Sequence, residues 1–133
     1  MNRFVLAVIA AGCVPLQTSA VSAGGDPAAG EKAFRKCAAC HTLDGRNRTG
    51  PTLEGVIGRT AGTVDGFRYS PDVIAAGAAG VVWDPAAVVV FLEDPNAFVQ
   101  QATGEDRART RKRTRYPDEQ LRLDIAAFLA SRE

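Results

Sequence analysis

The single histidine of this 133-residue chain, His41, directly follows Cys40, and Cys37 stands three residues before that. Cys37-Ala38-Ala39-Cys40-His41 is therefore a C-x-x-C-H run, and it constrains the fold more than any other feature. Two thiols and an imidazole leave one short stretch of chain, so whatever they hold must lie against it. Other soft or imidazole ligands are scarce: the chain has three Cys, one His and one Met, the initiator Met1. A multi-histidine metal site and a catalytic pair of histidines are both excluded. A zinc site wants four ligands and finds only Cys37, Cys40 and His41. A thioredoxin-like redox pair would sit beside a βαβ pattern, which is absent. A plain disulfide would leave His41 unexplained. In an exported chain the pentapeptide reads as an attachment site for one covalent haem c, through thioethers from Cys37 and Cys40. His41 is then the proximal ligand of the haem iron.

Export is what the N-terminus predicts. Met1-Asn2-Arg3 is basic, residues 4–12 form an uncharged apolar run, and Pro15 ends it. A membrane-spanning helix needs about 20 apolar residues, so this run is too short to span. Val21-Ser22-Ala23 fits the small-x-small rule of signal-peptidase cleavage. The expected division is a signal peptide over 1–23 and one domain over 24–133, in a periplasmic protein. Ala10-Ala11-Gly12-Cys13 loosely matches a lipobox and keeps a lipid anchor through Cys13 open as the lesser alternative. Sixteen Lys+Arg stand against fifteen Asp+Glu, and losing Arg3 leaves the mature chain formally neutral. That balance argues against a dedicated nucleic-acid binder.

Asp26-Pro27 reads as a helix cap followed by proline at the first helical position. Ala29, Ala33, Phe34 and Cys37 then share a face, which predicts a helix over 27–39. Ser70-Pro71-Asp72 opens a short helix ending near Gly77. Asp84-Pro85 opens another through Val88, Phe91 and Leu92, and Asp94-Pro95 breaks it and starts a further one. Pro117-Asp118-Glu119 opens the last, with Leu121, Ile125, Phe128 and Leu129 as its apolar stripe. Between residues 42 and 70, glycines and Pro51 break every regular period, which predicts ordered loop. Loops of that length are uncommon in a compact domain unless they wrap something. The expected class is all-α, with short helices and long loops wrapped round one covalently attached haem. The haem supplies the apolar mass that about 110 loop-rich residues lack.

On these residues the chain resembles a class I cytochrome c, of the cytochrome c2 and c550 type, over residues 25–132. Gly30-Glu31-Lys32-Ala33-Phe34 looks like that family's N-terminal helix, and Leu123-Asp124-Ile125-Ala126-Ala127-Phe128-Leu129 like its C-terminal one. The resemblance implies that Gly30 and Phe34 cross against Ile125 and Phe128, since only glycine lets two backbones approach so closely. Arg48-Thr49-Gly50-Pro51-Thr52-Leu53 resembles the segment whose proline carbonyl accepts a hydrogen bond from the proximal histidine, which implies that Pro51 orients His41. Gly58-Arg59 resembles the pair whose arginine neutralises a haem propionate. Tyr69, within Gly66-Phe67-Arg68-Tyr69-Ser70, and Trp83 resemble donors of hydrogen bonds to the propionates. Ordinary aromatic core is the other reading of these two rings. Phe91-Leu92-Glu93-Asp94-Pro95 is similar to the helix lying against the distal haem face.

One position departs from the pattern. Phe98, Thr103, Gly104 and Ala108 match the family's distal loop without a gap, and its iron-ligating methionine then falls on Lys112. No methionine follows Met1. A desolvated, neutral Lys112 amine is one possible distal ligand; an open or water-bound site is another, and Tyr116 is a weaker candidate. The plainest alternative leaves Lys112 facing water among Arg107, Arg109, Arg111, Arg113 and Arg115. Such a charge run is usually a solvated face. In the family this loop borders the exposed haem edge, which implies docking to an acidic face of a redox partner protein. The expected function is a monomeric periplasmic electron carrier rather than an enzyme, with no stable membrane span and no nucleic-acid partner. The alternative is a haem protein that binds or senses O₂, NO, CO or peroxide at a vacant distal position.

Overall fold

The computed structural model describes residues 24–133; the expected leader over 1–23 and Cys13 lie outside the described residues. Five helices form there: α1 (Pro27–Phe34), α2 (Pro71–Ala78), α3 (Pro85–Glu93), α4 (Pro95–Thr103) and α5 (Glu119–Ala130). The first four start in the same way. Proline occupies the first turn, where its missing N–H is no loss, and an Asp or Ser side chain before it accepts from a free backbone N–H. Asp94 both ends α3 and caps α4. Gly104, at φ +73°, closes α4 with the left-handed turn that glycine adopts without strain. Among the described residues there is no strand, only the isolated antiparallel bridge between Thr60 and Val82. No helix there is long and apolar enough to cross a membrane.

One helix end differs clearly from the sequence expectation. The regular part of α1 stops at Phe34, and residues 35–40 continue as hydrogen-bonded turns. Tertiary bonds draw this stretch out of helical register: Arg48 Nη1 donates to the Ala38 carbonyl at 3.0 Å and Gly50 N to that of Cys40 at 2.8 Å. At the other end α5 opens within the expected Pro117-Asp118-Glu119, with Asp118 as its cap accepting from Leu121 N at 3.1 Å. The Pro117 carbonyl is engaged elsewhere, by Arg122 at 3.1 Å.

α1 crosses α5 with Phe34 against Phe128, ring centroids 5.4 Å apart. Gly30 sits at the crossing, its Cα directly over the Asp124 carbonyl. Val56, Val88, Leu92, Ile125, Ala126 and Leu129 complete this first core, while Val73, Ala76, Val99 and Ala108 form a second. Side chains on the borders of both are only half-buried, among them Cys37, Leu43, Leu53, Trp83, Phe91 and Phe98. Trp83 packs on the first core and stacks on Phe98 of the second at 5.5 Å. The polypeptide thus builds two small cores and leaves a belt of apolar groups that it does not itself close over.

Candidate cofactor site

Tight turns at the end of α1 present the thiols and the imidazole together. Cys37 N donates to the Phe34 carbonyl at 2.8 Å, and His41 N to that of Cys37 at 2.9 Å. Cys37 is half-buried and Cys40 exposed, both as free thiols; burial pushes the Cys37 thiol up.

The loop after His41 folds back to fix the ring. His41 Nδ1 lies 2.7 Å from the Pro51 carbonyl oxygen. A carbonyl only accepts, so Nδ1 carries the proton and Nε2 keeps its lone pair for a metal. Gly50 lies flat against the imidazole, and a Cβ there would come within 2.7 Å of Nδ1 and 2.8 Å of Nε2. Burial holds the His41 pKa below the usual imidazole range; the Pro51 bond opposes that and the Lys112 charge adds to it. The loop is tied by Asn47, whose side chain accepts from Thr52 N at 3.0 Å and donates to the Asp65 carbonyl at 2.9 Å. Nothing in the sequence pattern singled out Asn47, since its partners are chosen by the loop's path. An open hollow of about 490 Å³ lies beside His41, and one of about 370 Å³ beside Arg59.

Arg59, Tyr69 and Trp83 form a second group. Gly58 N donates to the Trp83 carbonyl at 2.6 Å, and Trp83 N to that of Arg59 at 2.9 Å. The Arg59 guanidinium donates to the carbonyls of Thr52 and Glu54 and is close enough to Tyr69 for its charge to be felt there. Tyr69 Oη accepts from Val64 N at 3.3 Å, and its own O–H remains to donate.

Lys112 separates from its neighbours. Arg107, Arg109, Arg111, Arg113 and Arg115 are all exposed, whereas Lys112 is half-buried. Its Nζ donates to the Thr114 carbonyl at 2.8 Å and stands 5.0 Å from the Tyr116 ring centroid. Burial lowers its pKa, opposed by the nearby Cys37 and Cys40. Lys112 therefore shares one electrostatic neighbourhood with the C-x-x-C-H turn. The loop carrying it is pinned on several sides: Thr110 N donates to Asn96 Oδ1, Ser70 Oγ to the Arg109 carbonyl, and Tyr116 N to that of Leu92, each at 2.9 Å.

One buried group went unnoticed in the sequence. Arg122 is 6% exposed, donates to the carbonyls of Tyr116 at 2.7 Å and Pro117 at 3.1 Å, and pairs with Glu93 at 3.5 Å. Helical spacing to Ile125, Ala126 and Leu129 was the available signal.

These residues fit a covalently held haem: two free thiols, an imidazole with Nε2 free, a glycine cradle under the ring and a belt of unclosed apolar groups. No group of three or more His, Cys, Asp or Glu able to hold a bare metal ion exists among the described residues. The comparisons with known proteins agree. The family model described as cytochrome c matches residues 27–133. A cytochrome c2 of Rhodopseudomonas palustris is 46% identical over 116 residues, covering 80% of this chain and 97% of that one. The structure of cytochrome c2 from Rhodospirillum centenum superposes with a TM-score of 0.76 at 43% identity, over 80% of this chain and 98% of that one. A methionine-to-lysine variant of ferric cytochrome c-550 from Paracoccus versutus does so with a TM-score of 0.74 at 35% identity, over 80% and 95%.

Proposed function

This chain belongs to the cytochrome c family, with haem c attached through Cys37 and Cys40, and from that premise we propose that it is a periplasmic single-electron carrier in which His41 and Lys112 would hold the haem iron. Haem c supplies a one-electron couple in which no substrate bond is made or broken. His41 is oriented for this by Pro51, whose hydrogen bond fixes the tautomer and raises the basicity of Nε2.

The observation that carries the Lys112 half is selective burial. Of the cations between 107 and 115, Lys112 alone is turned away from full exposure. A lysine in water is an ammonium without a lone pair, and partial burial favours the neutral amine that can ligate. The Paracoccus versutus variant shows that a chain of this fold accepts a lysine in place of a methionine. A nitrogen donor in place of a thioether sets a lower reduction potential than His/Met ligation.

Arg59, Tyr69 and Trp83 serve the propionate edge in this reading. Arg59 keeps N–H donors beyond the two given to Thr52 and Glu54, and Tyr69 keeps its O–H. The five exposed arginines form a positive face on a chain of near-zero net charge and steer an acidic partner.

Addition of cyanide to the ferric holoprotein, and of CO to the ferrous form, at neutral pH tests this function. A protein ligand on both faces predicts refusal or slow, displacement-limited binding. Rapid, tight binding of either molecule would replace the carrier with a haem protein that captures small ligands at an open position.

A further inference from the structure

The Lys112 side chain rests on Tyr116. Its Nζ is 5.0 Å from the ring centroid, and the ring is an apolar surface along which the lysine stem can lie. Tyr116 is itself fixed from two elements. Its N–H donates to the Leu92 carbonyl of α3 at 2.9 Å, and its carbonyl accepts from Arg122 of α5 at 2.7 Å. Arg122 also donates to the next carbonyl, that of Pro117, and both would lose this partner if the arginine were removed. The buried guanidinium thus fixes the chain path where the basic loop meets α5. The Tyr116 ring packs against the first core. Among the described residues its hydroxyl makes no hydrogen bond, so the ring is the part available for a role.

We propose that Tyr116, held in place by Arg122, is the positioning residue that keeps Lys112 on the haem side of the basic loop. The proposal rests on the assignment of Lys112 as distal ligand and adds what holds it there. A lysine stem has four rotatable carbons and a strongly hydrated head. Its neighbours on both sides, Arg111 and Arg113, are exposed, Arg111 donating to the Arg68 carbonyl at 2.8 Å. Without an apolar seat the Lys112 stem follows them. The aromatic face biases it inward, and the bias acts through Lys112 alone.

The test compares cyanide binding and EPR spectra of ferric holoprotein in the wild type, Tyr116→Phe, Tyr116→Leu, Lys112→Ala and the double variant Lys112→Ala/Tyr116→Leu. Tyr116→Phe keeps the ring and is expected to match wild type. Tyr116→Leu is expected to bind cyanide faster, on the order of tenfold, the coupling typical of residues in contact. In the Lys112→Ala background the leucine substitution should add nothing, because its only route is gone. Equal acceleration in both backgrounds would mean a general structural role and would overturn the proposal. So would an altered EPR spectrum in Tyr116→Phe, which would make the phenol itself a ligand. If Lys112→Ala binds faster while Tyr116→Leu does not, the positioning role fails and Lys112 ligation stands. If Lys112→Ala binds no faster than wild type, ligation by Lys112 has failed, and the positioning role with it. Tyr116→Met, apolar and flexible, repeats the comparison should the leucine variant fail to assemble.

Discussion

A Gly30→Ala variant of the holoprotein is expected to be less stable than wild type by roughly 2–3 kcal/mol, although alanine is the better helix former. In an isolated helix the change would stabilise by about 0.5–1 kcal/mol. The crossing reverses the sign. A methyl group on Gly30 would fall inside van der Waals contact with the Asp124 carbonyl oxygen and 2.7 Å from Phe128 Cβ. The nearest obstacle is α5 backbone, which cannot rotate away as a side chain can. α1 must lift, and lifting loosens the Phe34–Phe128 contact and the bond from Asp26 N to Asp124 Oδ1 at 2.8 Å. Thermal melting of the holoprotein checks this, with an expected fall of about 10 °C or more. A variant melting at or above wild type would contradict the close α1–α5 crossing.

Gly50→Ala acts on the site. The added Cβ would lie 2.7 Å from His41 Nδ1, where it would displace the imidazole or push the loop back. The loop is held at that point: Gly50 N donates to the Cys40 carbonyl at 2.8 Å, and its own carbonyl accepts from Arg48 N at 2.9 Å. The ring therefore moves, and its bond to Pro51 is lost. Outer partners of a metal-ligating histidine typically contribute about 10–100-fold in metal affinity. A loss of that order in retention of the His41–iron bond is expected, seen as weakening of the six-coordinate absorption and EPR spectra. Thr49→Ala, one residue away and exposed, should leave those spectra unchanged. Identical spectra in Gly50→Ala and wild type would show that His41 is not held by this loop.

The parts of the fold that could be read from the sequence are those with local causes. A capping Asp or Ser followed by proline marks a helix start wherever it occurs, and α1, α2, α3 and α4 each begin on one. The end of α1 is not local, because it depends on which carbonyls Arg48 and Gly50 claim after ten or more residues of loop. The path of residues 42–70 was illegible for the same reason. Asn47, which bonds Thr52 and Asp65, looks like any polar loop residue until the path is known.

At the site, Cys37, Cys40 and His41 announce their chemistry because covalent attachment requires a fixed spacing. Lys112 was picked out only by register, as the residue on the family's methionine position; the charge run itself, six cations in an irregular loop, carries no periodicity to say which side chain is buried. Burial separates it from the arginines, and burial is a property of the folded chain. Arg122 shows the opposite failure. Its position on the buried stripe of α5 was legible, but its charge argued for the surface.

The proposed carrier rests on an amine, that of Lys112, in the place of the family's methionine. The most direct measurement is the absorption and EPR spectrum of ferric holoprotein, wild type against Lys112→Ala, followed across pH. Lysine ligation predicts that the wild type shows a low-spin signature with nitrogen donors on both faces, and that Lys112→Ala loses it in favour of a water-bound or high-spin form. Spectra that coincide at every pH would contradict the assignment and leave the distal face to some other group.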